Sequence, residues 1–105
     1  MTNMGDVVLE ATSVTYYSYN DEAAFFEWLD KIGCVASYRG ESRTLYITLA
    51  FGTVDEEDLR DLVALYRRYA IDLRELRVLN TDAVGPWFSD SARSWHDEVF
   101  GAPAQ

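Results

Sequence analysis

The apolar period of this chain changes twice, and those changes limit what it can fold into. Phe25, Trp28, Leu29 and Ile32 recur at i, i+3, i+4 and i+7, the stripe of an amphipathic helix. Further on the spacing drops to two, with Leu45, Ile47 and Leu49 alternating with Thr44, Tyr46 and Thr48. A strand so patterned sends its aliphatics to one face and its hydroxyl-bearing residues to the other. The helical period then returns in Leu59, Leu62, Val63 and Tyr66, continued by Ala70. At 105 residues this mixture forms one α+β domain over residues 1–105.

Punctuation residues set the expected boundaries. The β-branched and aromatic stretch 7–19 predicts a strand over Val14–Tyr19, extended backwards by Val7–Leu9. Asn20-Asp21 supplies N-cap chemistry for the first helix, and Gly33 sits where a left-handed glycine would end it. Glu27 and Lys31 make an i,i+4 pair on its polar side. Cys34–Arg39 and Thr44–Leu49 flank Gly40-Glu41-Ser42-Arg43 as a β-hairpin. Thr53 and Glu56 fit a capping box opening a second helix over Val54–Tyr69. A short strand near Leu76–Leu79 follows, with Asp72–Glu75 either leading into it or making a single helical turn. A third helix over Ser91–Phe100 then carries the stripe Phe88, Ala92, Trp95 and Val99; Asp90 or Ser89 caps it, and Gly101 and Pro103 stop it.

This order is that of the ferredoxin-like βαββαβ sandwich, an antiparallel four-stranded sheet with two helices on one face. The extra C-terminal helix is expected on the uncovered sheet face or at a sheet edge, with the strand tyrosines either packed beneath it or forming a protein interface.

Charge narrows the function classes. Eighteen acidic residues against nine basic ones give a net charge of −9. Phosphate contacts dominate nucleic-acid affinity, so nucleic acid, anionic lipid and nucleotide phosphate are poor ligands for such a chain. Tyr16, Tyr17, Tyr19, Tyr38 and Tyr46 could stack bases on a sheet, but only Arg39 and Arg43 accompany them on the strands. The lone Cys34 points to a reducing compartment, and neither a signal peptide nor a membrane-length apolar run is present, so a cytoplasmic protein is expected.

Catalytic chemistry finds little support. His96 beside Asp97 would be the general base, but it follows Trp95 of the buried stripe and so is expected to face solvent. Cys34 follows a helix C-terminus, whose partial negative charge disfavours a thiolate. One Cys and one His do not make a structural zinc site, and glycine-rich phosphate loops are missing. No catalytic residue, metal or cofactor is therefore assigned.

The acids are concentrated rather than dispersed. Asp21, Glu22, Glu27 and Asp30 line the first helix, and Asp55, Glu56, Glu57, Asp58 and Asp61 crowd the start of the second. Two such helices on one sheet face would pool an acidic field that steers a basic protein partner. Asp55, Glu56, Asp58, Asp61 and Glu27 are its expected contacts, with Trp87 as an aromatic anchor.

The chain ends in Pro86-Trp87-Phe88-Ser89-Asp90 and Ser94-Trp95-His96-Asp97-Glu98-Val99-Phe100-Gly101. That finish resembles small acidic immunity proteins encoded beside bacterial polymorphic or contact-dependent toxins. The resemblance covers roughly a fifth of the chain and transfers no inhibitory motif. It implies a stoichiometric binder that occludes a cationic toxin domain, often a nuclease. The alternative is a self-associating or ligand-sensing ferredoxin-like domain, forming a homodimer through its open sheet face or edge. A third reading is an enzyme that uses His96.

Overall fold

The computed structural model describes residues 7–50, 54–80 and 86–101. Its first elements are β1 (Val7–Thr12), α1 (Tyr19–Lys31), β2 (Val35–Glu41), β3 (Thr44–Leu49) and α2 (Glu56–Arg68). A 3-10 helix over Leu73–Leu79 and a short α3 (His96–Phe100) follow. The three strands form one sheet in the order β1-β3-β2, with β3 antiparallel to both neighbours. The β1-α1-β2 connection therefore straddles β3, which enters between the two strands it links.

The alternating pattern of β3 is realised as read: Leu45, Ile47 and Leu49 are buried. They share a face with Leu9 and Ala11 of β1, and with Phe25 and Leu29 of α1 and Leu59, Leu62, Val63 and Tyr66 of α2 they form one core. Both helices thus lie on the same side of the sheet. On the opposite side Val8 is 51% exposed, and Glu10 and Thr12 face outward too.

The helices run antiparallel. Asp58, in the first turn of α2, reaches within 3.5 Å of where a side chain on Gly33 would begin, just past the end of α1. At the other end the Tyr69 ring packs edge-on to Phe25 at 4.9 Å, and the Tyr69 hydroxyl donates to the Asp21 carbonyl at 3.3 Å.

Several sequence expectations are corrected, each for a local reason. The first strand is Val7–Thr12, not Val14–Tyr19. Ser13 takes a left-handed φ of 57° and its N–H closes the ladder on the Arg43 carbonyl at 2.7 Å. Tyr16 then turns inward against Phe25, Phe26 and Tyr69. Ser18, rather than Asn20 or Asp21, caps α1: its hydroxyl accepts from the Asp21 N–H at 3.1 Å. The Asp21 carboxylate reaches back to accept from the Tyr17 N–H at 2.9 Å, satisfying a second donor. The exit from α1 is an extended Ile32 with φ −79°, and Gly33 is not left-handed. Glu27 and Lys31 form no ion pair among the described residues.

The hairpin loop is tighter than the four residues expected. Strand pairing continues to Glu41 opposite Thr44, leaving only Ser42 and Arg43 in the turn. Two-residue hairpin loops need a positive φ to match the strand twist, and Ser42 supplies it at 58°.

Thr53, the expected capping-box residue, lies outside the described residues. Asp55 caps α2, accepting from the Asp58 N–H at 2.8 Å. At its other end the Ile71 N–H bonds the Tyr66 carbonyl and the Ala70 N–H the Arg67 carbonyl, with Ala70 at φ 56°. This pair of bonds is a Schellman motif with alanine in the position glycine usually fills.

The fourth strand of the expected sandwich does not form. Leu73, Leu76 and Leu79 are spaced by three, the repeat of a 3-10 helix, and all three are buried while Val78 is 53% exposed. Asp72 starts that turn, accepting from the Arg74 N–H at 3.0 Å and engaging the Arg74 guanidinium at 2.8 Å. The 3-10 helix packs against β1, α2 and α3. Among the described residues the sheet is three-stranded, so the architecture shown is α+β but not a four-stranded ferredoxin-like sandwich.

The third helix is also shorter than Ser91–Phe100. Asp90 accepts from the Ala92 N–H at 2.9 Å and bends the chain there, leaving Ala92 exposed. Phe88, Trp95 and Val99 are nevertheless buried, held together by the Trp95 indole N–H donating to the Phe88 carbonyl at 2.9 Å. The segment docks on the 3-10 helix rather than on the open sheet face. Arg77 secures it by donating to the Val99 carbonyl at 2.6 Å.

Candidate functional site

The antiparallel packing of α1 and α2 brings the C-terminal end of one helix to the acidic start of the other. Glu27 and Asp30 of α1 are exposed, as are Asp55, Glu56 and Glu57 at the entry to α2. One arginine is paired into this group: Arg60 reaches Glu56 at 3.1 Å on the helix surface. Asp30 accepts from the Tyr38 hydroxyl at 2.8 Å, which raises the phenol's pKa and leaves the carboxylate charge uncompensated. Among the described residues neither Glu27 nor Glu57 has an ion-pair partner. The other ion pairs among the described residues join Arg39 to Glu41, Arg67 to Glu98 and Arg74 to Asp72.

The acids named from sequence separate into different roles here. Glu27, Asp55 and Glu56 lie on the surface, with Asp55 also holding the helix cap. Asp61 is half-buried. Asp58 is buried, beside Cys34 rather than solvent. Burial, then the Asp58 charge and hydrogen bond, push the Cys34 thiol up to about 12. A thiol so placed stays protonated, the opposite of what a nucleophile needs.

Trp87, the expected aromatic anchor, is half-buried. Its ring meets Trp95 edge-on at 5.9 Å, and the Arg60 and Arg93 guanidiniums each lie 5.7 Å from its centre. His96 bonds Asp97 at 3.1 Å and lies 5.4 Å from the Phe100 ring, its side chain 21% exposed. It leans on the helix rather than pointing freely outward.

The tyrosines do not share a sheet face. Tyr38 packs with Phe26 on the helix side, whereas Tyr46 lies on the open side under the Arg39 guanidinium at 4.7 Å. None lies beneath α3. Tyr17 and Tyr19, flanking the cap of α1, are 90% and 81% exposed. They are the exposed aromatic rings that sequence reasoning placed in a strand.

A cleft of about 510 Å³ opens between the β2–β3 turn and the start of α1. Its floor is apolar, from Ala11, Val14, Phe26 and Leu45. The exposed Arg43 and Glu22 form its rim, and the half-buried Tyr16 also lines it. Burial and the neighbouring Glu22 charge push the Tyr16 phenol up to about 12. No local sequence pattern signals this cleft, because it depends on where the left-handed Ser13 and Ser42 end the strands.

No group of three or more His, Cys, Asp or Glu among the described residues could hold a metal ion. No described helix is long and apolar enough to cross a membrane. Comparison of this chain with known protein families, with curated proteins and with solved structures finds no match.

Proposed function

We propose that this chain is a non-catalytic acidic binding module, an immunity-like inhibitor that occludes a basic toxin or nuclease domain in the cytoplasm. The observation that carries this reading is the antiparallel pairing of α1 and α2, which sets the end of α1 beside the acidic start of α2. Glu27, Asp30, Asp55, Glu56 and Glu57 are all exposed there, and among the described residues only Glu56 is ion-paired, with Arg60. A surface of that sign accelerates encounter with a cationic domain and repels nucleic acid from the same site. The half-buried Trp87, 5.7 Å from the Arg60 guanidinium that pairs with Glu56, supplies aromatic contact area beside this surface.

The test is capture from the source cell by wild-type protein and by the variant E27K/E57K. A basic protein recovered at low salt by wild type, released at about 0.5 M salt and not recovered by the variant, supports the reading. Recovery of the same proteins by both overturns it.

A homodimer is the second reading, favoured by the uncovered sheet face around Val8, Thr12 and Tyr46. Sedimentation at low and high salt separates the two, since a dimer held by buried apolar surface persists in salt.

A further inference from the structure

The described arginines mostly have acidic or carbonyl partners. Arg39, Arg60, Arg67 and Arg74 are ion-paired, and Arg77 and Arg93 donate to main-chain carbonyls. Arg43, at the rim of the 510 Å³ cleft, has no side-chain partner among the described residues. Glu22 at the same rim is likewise without one, and the two are not paired with each other. Tyr16 also lines the cleft, and its hydroxyl makes no hydrogen bond among the described residues. An apolar floor below two unpaired groups of opposite charge is the layout of a small-molecule site, and the volume falls within the usual range of about 300–1,000 Å³.

We infer that this cleft binds a small amphipathic zwitterion, an amino acid or close structural analogue, with its carboxylate on Arg43 and its ammonium on Glu22. Charge selects this class over simpler ones. A plain anion would approach Arg43 against the field of a chain carrying −9. A plain cation would find no preference for Glu22 over the many other exposed carboxylates. A zwitterion has no net charge to be repelled, and both rim groups gain a counterpart. Its aliphatic part covers Ala11, Val14, Phe26 and Leu45.

The rim is held in place by the fold. Ser13 and Ser42 line the cleft at φ 57° and 58°, and the Ser13 N–H to Arg43 carbonyl bond ties the two strand ends together. A left-handed backbone costs a non-glycine residue about 1 kcal/mol, so two such residues at one cleft are kept by their surroundings.

The experiment is an NMR titration of the isotopically labelled full chain with L-leucine and with 6-aminohexanoate. Hexanoate and hexylamine serve as single-charge controls. The expected result is saturable shifts at Ala11, Val14, Phe26 and Leu45 with a Kd on the order of 1 mM. Whichever zwitterion saturates reports the spacing of Glu22 and Arg43. Arg43→Gln and Glu22→Gln, both on exposed residues, should each weaken binding about tenfold while the rest of the spectrum is unchanged. The inference is overturned if neither zwitterion saturates, if the single-charge controls bind equally well, or if both variants bind like wild type.

Discussion

The hydroxyl of Tyr66 on α2 donates a 3.1 Å hydrogen bond to the main-chain carbonyl of Glu10 on β1. Antiparallel partners alternate between bonded and non-bonded pairs. The Ser13 N–H to Arg43 carbonyl bond therefore turns the main-chain groups of Glu10 away from β3. Tyr66 satisfies a carbonyl on the edge of β1 that no fourth strand among the described residues covers.

Removing that hydroxyl tests its worth. Tyr66→Phe keeps the ring, which is fully buried, and leaves the carbonyl without its partner. Urea denaturation should show a loss of about 1–2 kcal/mol with an unchanged m-value. A loss indistinguishable from zero would mean water replaces the hydroxyl.

Cys34 gives an alkaline signature. Its thiol pKa rises from 9.0 to about 12 on folding, so the folded chain holds a proton that the unfolded chain releases. The stabilisation is complete below pH 9 and is lost as pH climbs towards 12. Stability should fall by up to about 1.4 kcal/mol per pH unit in that window. Tyr16 and Tyr66, also raised, add to the slope only above pH 10. Between pH 9 and 10 the slope should flatten in Cys34→Ala, as read by urea midpoints at each pH. Native protein should also resist thiol alkylation until it unfolds.

Ala70 is a site of stored backbone cost. It is exposed, ends α2 at φ 56°, and donates to the Arg67 carbonyl. Ala70→Gly removes the Cβ conflict while keeping both Schellman bonds, and thermal unfolding should show a gain of about 0.5–1 kcal/mol. A loss would mean that glycine's greater unfolded-state freedom outweighs the relieved strain.

The neighbouring acids at the start of α2 should behave differently. Asp55→Ala deletes the cap accepting from the Asp58 N–H and should cost about 1 kcal/mol. Glu57→Ala, on the exposed side of the same turn, should stay within about 0.5 kcal/mol. Chemical denaturation of the two variants side by side checks the distinction. Glu57 is therefore the cleaner position for altering binding without altering the fold.

Sequence determined the two long helices, the hairpin and the α+β class, because those signals are local. A stripe such as Leu59, Leu62, Val63 and Tyr66 buries one face whichever neighbour it meets, and the alternation in β3 fixes its inward side. The acidic character of both helix surfaces was equally legible, since charge is a property of composition. Tertiary structure decided the rest. Leu76–Leu79 has strand-forming residues, but burying Leu73, Leu76 and Leu79 together needs a repeat of three, and contact with β1 and α3 selects it. Asp58 shows the same limit at one residue: its position in an acidic run reads as surface, yet the antiparallel helix pairing seats it against Cys34. Local pattern says which face of an element is apolar. Only the packing of elements says which polar groups are covered along with it.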